Sequence, residues 1–149
     1  MKFLADSMLG RLAKWLRIMG YDTHYQSFYT KEDFGPLVQN ERTLLSRHAK
    51  TTSQYPGSLM LRSDQVQGQL LEIRTGFQLE PDRLRWFTRC LICNVLLKKT
   101  QMEHLRLSVP DYVLYENPSQ IRVCPSCGRH FWPGSHRERM IRQLENWGF

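Results

Sequence analysis

The sequence predicts an α/β fold in which a parallel sheet flanked by helices is followed by a small zinc-bound module and a final helix. Over the first half of the chain, short apolar runs alternate with segments of helical periodicity, which is typical of a parallel sheet. The second half holds two Cys-x-x-Cys pairs, Cys90 with Cys93 and Cys124 with Cys127. Together they use all four cysteines of the chain.

The first half is expected to contain four strands and four helices. Strands are predicted at residues 1–5, 21–25, 43–47 and 58–62, and helices at about 7–20, from 36, at 49–54 and at 65–75. Ser7 is expected to cap the first helix and Gly20 to end it. Thr30 and Asp33 have the form of a capping box, but a Gly-Pro pair follows, so the second helix is expected to be short and to begin at Pro36.

The second half is expected to form a separate module. The predicted domains are residues 1–85 and 86–149, joined by a linker at 78–85. Short strands, including residues 112–116 and 121–123, are predicted around the two cysteine pairs, and a helix at 136–147. Because a module of this size buries little apolar surface, bound zinc is expected to supply much of its folding free energy.

The cysteine spacing is typical of a structural zinc site with four thiolate ligands. Two residues between thiols let one tight turn direct both sulfurs at a single ion, and Gly128 gives the second turn backbone freedom. A pair of disulfides is the alternative, but the chain start lacks the pattern of a signal peptide. A reducing intracellular compartment, most simply the cytoplasm, is therefore expected. A redox motif would account for only one of the pairs.

Composition and charge favour a polyanionic partner. The chain has 149 residues, 41% of them hydrophobic, and a net charge of +7, with a pI near 9.5. Nucleic acid is the first expectation and an acidic membrane surface the second. No apolar run reaches the roughly 18 residues of a membrane span, so a soluble protein is predicted.

Candidate catalytic residues lie where predicted strands end. Asp6, His48 and Asp64 each follow a strand, and ligand sites in parallel sheets lie at the carboxyl ends of the strands. Carboxylates there can hold Mg2+ or Mn2+ for cleavage of a phosphodiester. Helix capping is the alternative role of Asp6 and of Asp64. Further acids are candidates for a third ligand, although each is more typical of a solvated charge on a helix: Glu32, Asp33 and Glu41.

The first helix carries a predicted basic face. Arg11, Lys14 and Arg17 recur every three residues and are assigned to the side away from the apolar stripe. These cations, together with Arg47, are the candidate residues for binding a nucleic acid, which the family resemblance described below implies to be RNA. A charged outer face is also what any surface helix presents, so the pattern alone leaves both roles open.

Several long motifs resemble the Mut-seven C-terminal RNase family. They cover residues 3–17, 20–23, 44–47 and 69–70 in the first half, and 89–94 and 124–136 in the second. The resemblance implies a PIN-like RNase domain fused to a zinc ribbon, with Asp6 as a metal ligand. The chain departs from the family pattern at His48, where an acid is expected, and at Thr30, so that Glu32 or Asp33 fits an expected acid only after a small shift.

Three functions follow from these patterns. The first is a metal-dependent endoribonuclease of PIN-like type, in which His48 binds Mn2+ or Zn2+ or acts as a general base. The second is a catalytically degraded family member that binds structured RNA, for example within a ribonucleoprotein particle, and His48 favours it. The third is a protein interaction module, since zinc ribbons also join proteins to one another.

Overall fold

The computed structural model describes residues 1–100, 109–116 and 118–149. The chain divides into two compact units, Met1–Asn94 and Val95–Phe149. The first pair of cysteines thus belongs to the first unit and the second pair to the second. The domain assignment made from the sequence, with its boundary after residue 85, stays a prediction.

The first unit alternates strands and helices around a parallel sheet. In chain order the elements are β1 (Lys2–Ala5), α1 (Gly10–Ile18), β2 (Asp22–Tyr25), α2 (Lys31–Gln39), β3 (Arg42–Ser46), α3 (Ala49–Ser53), β4 (Leu59–Met60) and α4 (Val66–Phe77). The four strands are all parallel and lie in the order β2-β1-β3-β4. The α/β fold with a parallel sheet, predicted from the sequence, is confirmed.

The two central strands, β1 and β3, carry the core of this unit. Phe3, Leu4 and Ala5 are fully buried, and Leu44 and Leu45 beside them are at most 1% exposed. Continuous apolar runs of this kind are typical of parallel strands that are covered on both faces. Because β1 lies between β2 and β3, the residue that follows it, Asp6, lies at the middle of the carboxyl edge of the sheet.

Two predicted helix starts are wrong. Ser7 does not cap α1. It lies within a 3-10 turn, Ser7–Leu9, and the side chain of Asp6 caps that turn instead. Likewise α2 begins at Lys31, with Pro36 inside it. The Thr30–Asp33 capping box forms at the start of α2, so the helix begins more than one turn before the proline.

In its described residues, the second unit is a small antiparallel sheet with two helices. Its elements are β5 (Lys98–Lys99), α5 (Asp111–Glu116), β6 (Arg122–Val123), β7 (His130–Phe131) and α6 (Ser135–Asn146), and the strands lie in the order β5-β6-β7. A small apolar cluster of Val109, Val113 and Ile121 packs within it. None of the helices in the described parts of either unit is long and apolar enough to cross a membrane.

The strand predicted at residues 112–116 is wrong, because this segment is the helix α5. The carbonyl oxygen of Pro110 accepts a hydrogen bond from the backbone N–H of Val113 at 3.0 Å. Pro110 thus precedes the helix, and Asp111 places a negative charge in its first turn, where the helix dipole favours one. The segment resembled a short strand between turn residues, but the local helix start prevails.

Candidate functional site

Asp6 is the best-positioned carboxylate at the carboxyl edge of the first unit's sheet. The residue is only 6% exposed. Its Oδ2 accepts a hydrogen bond from Ser46 Oγ at 2.6 Å, and its Oδ1 accepts bonds from the backbone N–H of Ser7 at 2.6 Å and from Ser7 Oγ at 3.2 Å. A carboxylate has about four acceptor positions, so these three bonds fix its orientation and leave room for one more ligand.

Ser46 connects Asp6 to the chain that follows β3. Besides donating to Asp6, its hydroxyl accepts a hydrogen bond from the backbone N–H of His48 at 3.1 Å. The imidazole of His48 is exposed, and its Nε2 lies 3.2 Å from Met8 Sδ. Sequence reasoning did not assign a role to Ser46; a single hydroxyl that ends an apolar strand was the available signal.

The other predicted acids do not join Asp6 in a compact ligand group. Asp33 is exposed, and its Oδ2 accepts hydrogen bonds from Thr30 N at 2.7 Å and Thr30 Oγ1 at 2.9 Å. Asp64 is also exposed, just before α4. Across the described residues, the four cysteines are the only group of three or more Cys, His, Asp or Glu ligand atoms that lie close enough to share an ion.

Arg17 corrects the predicted basic face of α1. Arg11 and Lys14 are exposed, as is Arg47 after β3, but Arg17 is only 6% exposed. Its Nε donates to the carbonyl oxygen of Thr23 at 3.0 Å. The placement of Arg17 on the outer face was therefore wrong, because its guanidinium is engaged inside the unit.

The same guanidinium donates hydrogen bonds to the first cysteine turn, the segment from Cys90 to Cys93. The Nη1 of Arg17 donates to the carbonyl oxygens of Leu91 and Ile92, at 2.8 and 2.9 Å, and these two residues lie between Cys90 and Cys93. Burial lowers the pKa of Arg17, and the neighbouring Cys90 thiol opposes that shift. A cation placed against this turn favours thiolates, the form of cysteine that binds metal.

A second group of polar side chains connects β2 to Asn94, the residue that follows the first cysteine turn. Asn94 Oδ1 accepts a hydrogen bond from Thr23 N at 2.9 Å, and Asn94 Nδ2 donates to Asp22 Oδ1 at 2.7 Å. Asp22 Oδ1 also accepts from Arg42 Nη1 at 2.6 Å. Burial alone would raise the pKa of Asp22, but the hydrogen bonds from Arg42 and Asn94 outweigh it, so the pKa is lowered.

The four thiols form the predicted metal cluster. The Sγ atoms of Cys90, Cys93, Cys124 and Cys127 all lie within 4.8 Å of one another, and all four cysteines are free of disulfides. A tetrahedral ion bound by sulfurs at 2.3 Å separates them by about 3.8 Å, so the four thiols can hold a metal such as zinc with little adjustment. Gly128, after the second pair, has the positive φ of 72° that its turn requires.

An aromatic row passes the first turn of α2, and sequence reasoning missed it. The rings of Tyr29 and Phe34 stack with centroids 5.0 Å apart, and Tyr55 and His24 extend the row at 6.1 Å from Phe34 and Tyr29 respectively. Burial, with a further contribution from the negative charge of Asp6, raises the pKa of Tyr29 to about 12. The Tyr29 phenol therefore stays neutral near Asp6 at physiological pH.

Comparison with known proteins gives one family. No curated protein and no solved structure matches the chain. The family model described as the Mut7-C RNAse domain matches residues 1–144. This span includes the carboxyl edge with Asp6 and all four clustered cysteines. The resemblance noted in the sequence is thereby confirmed, and the chain belongs to the Mut7-C RNAse domain family.

Proposed function

We propose that this protein is a metal-dependent endoribonuclease whose active site is centred on Asp6. The observation that carries the proposal is the position of this carboxylate, buried at the carboxyl end of the central strand in a chain of an RNase family. Parallel sheets bind their ligands at this edge. RNA, as substrate, also fits the net charge of +7.

Asp6 and four further residues have complementary tasks in this proposal. Asp6 provides an oxygen ligand for Mg2+ or Mn2+, and Ser46 holds that carboxylate in place. An ion held by Asp6 would supply an activated water and positive charge for the phosphate. Lys14 and Arg11, both exposed on α1, neutralise the RNA backbone. His48 takes the place of an acid ligand, as a softer metal ligand or a general base.

The decisive experiment is single-turnover cleavage of a labelled RNA by wild type, Asp6→Asn and Ser46→Ala in Mg2+ or Mn2+. Asp6→Asn is expected to reduce cleavage to the background rate, and Ser46→Ala to slow it about 10- to 100-fold, as loss of a residue that orients a metal ligand does. Glu80→Gln, which alters an exposed acid between α4 and the first cysteine pair, is the control. Equal rates for wild type and Asp6→Asn would refute the proposal.

His48→Asp tests the role of the imidazole. If the histidine weakens the site, His48→Asp is expected to increase Mg2+-dependent cleavage, because Mg2+ prefers oxygen ligands. If the imidazole has been recruited as a ligand or base, the same change lowers Mn2+-dependent cleavage. Rates unaffected in both metals would exclude His48 from the chemistry.

A second candidate is RNA binding without cleavage, for example in a ribonucleoprotein particle. The separation of Asp33 and Asp64 from a shared ligand group in the described residues favours it. In that case wild type binds RNA in a salt-dependent manner but does not cut it. Lys14→Ala and Arg11→Ala should each lower the slope of log affinity against log salt by about one. Affinity that is insensitive to salt would argue against RNA binding of either kind.

A further inference from the structure

We propose, building on the proposed function, that the exposed ring of Phe28 is a stacking platform for an unpaired RNA base beside the Asp6 site. The substrate would then be a single-stranded segment, since the base faces of a duplex are covered by their neighbours. Phe28 lies between β2 and α2 and is 73% exposed. Base stacking on an aromatic side chain tolerates any sequence, because every base has a flat apolar face.

The backbone around Phe28 is fixed on both sides, so its exposure is a property of an ordered loop. On one side, the backbone N–H of Gln26 donates to Tyr29 Oη at 2.8 Å. On the other, Tyr29 stacks on Phe34, with the ring planes 30° apart, and the Thr30–Asp33 capping box starts α2. The rings next to Phe28 are therefore packed into the unit while the ring of Phe28 points into solvent.

The loop lies at the same edge of the sheet as Asp6. It follows the carboxyl end of β2, which pairs directly with β1. Tyr25, the last residue of β2, donates through Oη to the carbonyl oxygen of Ser7 at 3.2 Å, and Ser7 is the neighbour of Asp6. The influence of the Asp6 charge on Tyr29 agrees with this placement. A nucleotide bound at Asp6 would therefore have the aromatic loop within reach.

The surroundings match an aromatic ligand that carries negative charge. Met8, which lies within the 3-10 turn that Asp6 caps, is 62% exposed and adds a flexible apolar surface. Exposed cationic side chains follow β3 at the same carboxyl edge, namely Arg47 and Lys50. A neutral apolar partner would use only the rings, whereas a nucleotide uses both the rings and the cations. These features together favour an unpaired nucleotide as the occupant.

The test measures binding of a fluorescein-labelled 12-nucleotide RNA, single-stranded or annealed to its complement, by fluorescence anisotropy. All proteins are full length, zinc-loaded and carry Asp6→Asn, so that the RNA stays intact. Phe28→Ala and Phe28→Leu are expected to weaken binding of the single strand about 5- to 100-fold, the range for losing one stacked base, while Phe28→Trp retains it. Binding of the duplex should change less than about twofold.

Tyr115→Ala is the matched control, since Tyr115 is an aromatic residue of the second unit that is 86% exposed. The inference is overturned if Phe28→Ala binds the single strand with the affinity of the parent, or if its affinity for the duplex falls by the same factor. It is also overturned if Tyr115→Ala lowers the affinity for the single strand as much as Phe28→Ala does. These results are independent of cleavage. Phe28-dependent binding by a wild type that cuts no RNA would refute the nuclease and support the platform. A wild type that cleaves RNA but binds it independently of Phe28 would support the nuclease and refute the stacking platform.

Discussion

The two cysteine turns have the same local geometry but are held in different ways. In each, the backbone nitrogen of the second cysteine donates to the Sγ of the first cysteine at 3.4 Å. In each, the following residue donates its N–H to the carbonyl oxygen of the first cysteine at 2.9 Å. Beyond this, the first turn receives long-range hydrogen bonds from α1 and β2. Among the described residues, the second turn has a local bond from Cys124 N to Arg129 O at 2.9 Å.

This difference bears on which turn would depend on a bound metal. The first turn is oriented by Arg17 and Asn94, which belong to a unit with a large apolar core of its own. The second turn lies in a unit whose described residues bury few apolar side chains, mainly the cluster of Val109, Val113 and Ile121. Small units of this kind usually require a metal or a disulfide for stability. We infer that the first turn is preorganised and that the second depends on the bound ion.

The largest expected effect comes from removing a ligand of the second turn. Cys124→Ser should abolish retention of one zinc per chain, because the remaining three thiols no longer close a tetrahedral site. Residues 95–149 should then lose protection from hydrogen exchange while β1 and β3 keep theirs. Elemental analysis and peptide-resolved hydrogen exchange measure the two effects. A variant in which residues 95–149 stay protected, or a wild type without zinc, would contradict the comparison.

The second effect concerns the buried arginine. Arg17→Met keeps much of the apolar stem but leaves the carbonyl oxygens of Thr23, Leu91 and Ile92 without this donor. The expected loss in unfolding free energy is about 2–4 kcal/mol. Zinc should also be released faster to a chromogenic chelator. Lys14→Met, an exposed position one turn earlier on α1, is the control and should change stability by less than about 0.5 kcal/mol.

The error over Arg17 shows what helical spacing can and cannot predict. Each step of three residues turns the helix by about 300°, so Arg17 lies about 120° from Arg11 and close to the apolar stripe. Hydrophobic runs, by contrast, located the central strands well, and the strand ends pointed to Asp6. The spacing of the cysteines predicted that their four sulfurs cluster. These signals are all contained in short stretches of sequence.

Contacts between distant parts of the chain left no comparable signal. The hydrogen bonds from Arg17 and Asn94 join residues more than 70 positions apart. The aromatic row also depends on where α2 begins, and Pro36 obscured that start in the sequence. At α5, the sequence favoured a strand. The hydrogen bond from Val113 N to the carbonyl oxygen of Pro110, which begins the helix, was not visible in the sequence. Tertiary contacts therefore decided the placement of Arg17, whereas at α5 a local hydrogen bond decided the element.

A smaller effect is expected at Asn94. Its side chain accepts from Thr23 N and donates to Asp22, and its φ of 66° is in the left-handed region. Asn94→Gly keeps that backbone conformation and removes only the side-chain bonds, so a loss of about 1–2 kcal/mol in unfolding free energy is expected. Asn94→Ala should lose more, because alanine adds backbone strain. If Asn94→Gly unfolds in urea like wild type, the side chain does not anchor the first turn.

The smallest expected effect is a pH dependence confined to the first unit. Burial, followed by the positive charges of Arg42 and Arg17, lowers the pKa of His24 below its ordinary value of 6.5. The unfolded chain therefore binds more protons than the folded one just below pH 6.5, so stability falls as the pH drops through that range and is fully present above it. His24→Gln should flatten this dependence. Urea unfolding of wild type and variant at pH 7.5 and 5.5, with zinc content matched, measures the difference. If wild type and His24→Gln lose the same unfolding free energy between pH 7.5 and 5.5, protonation of His24 does not weaken β2, the strand that anchors the first turn.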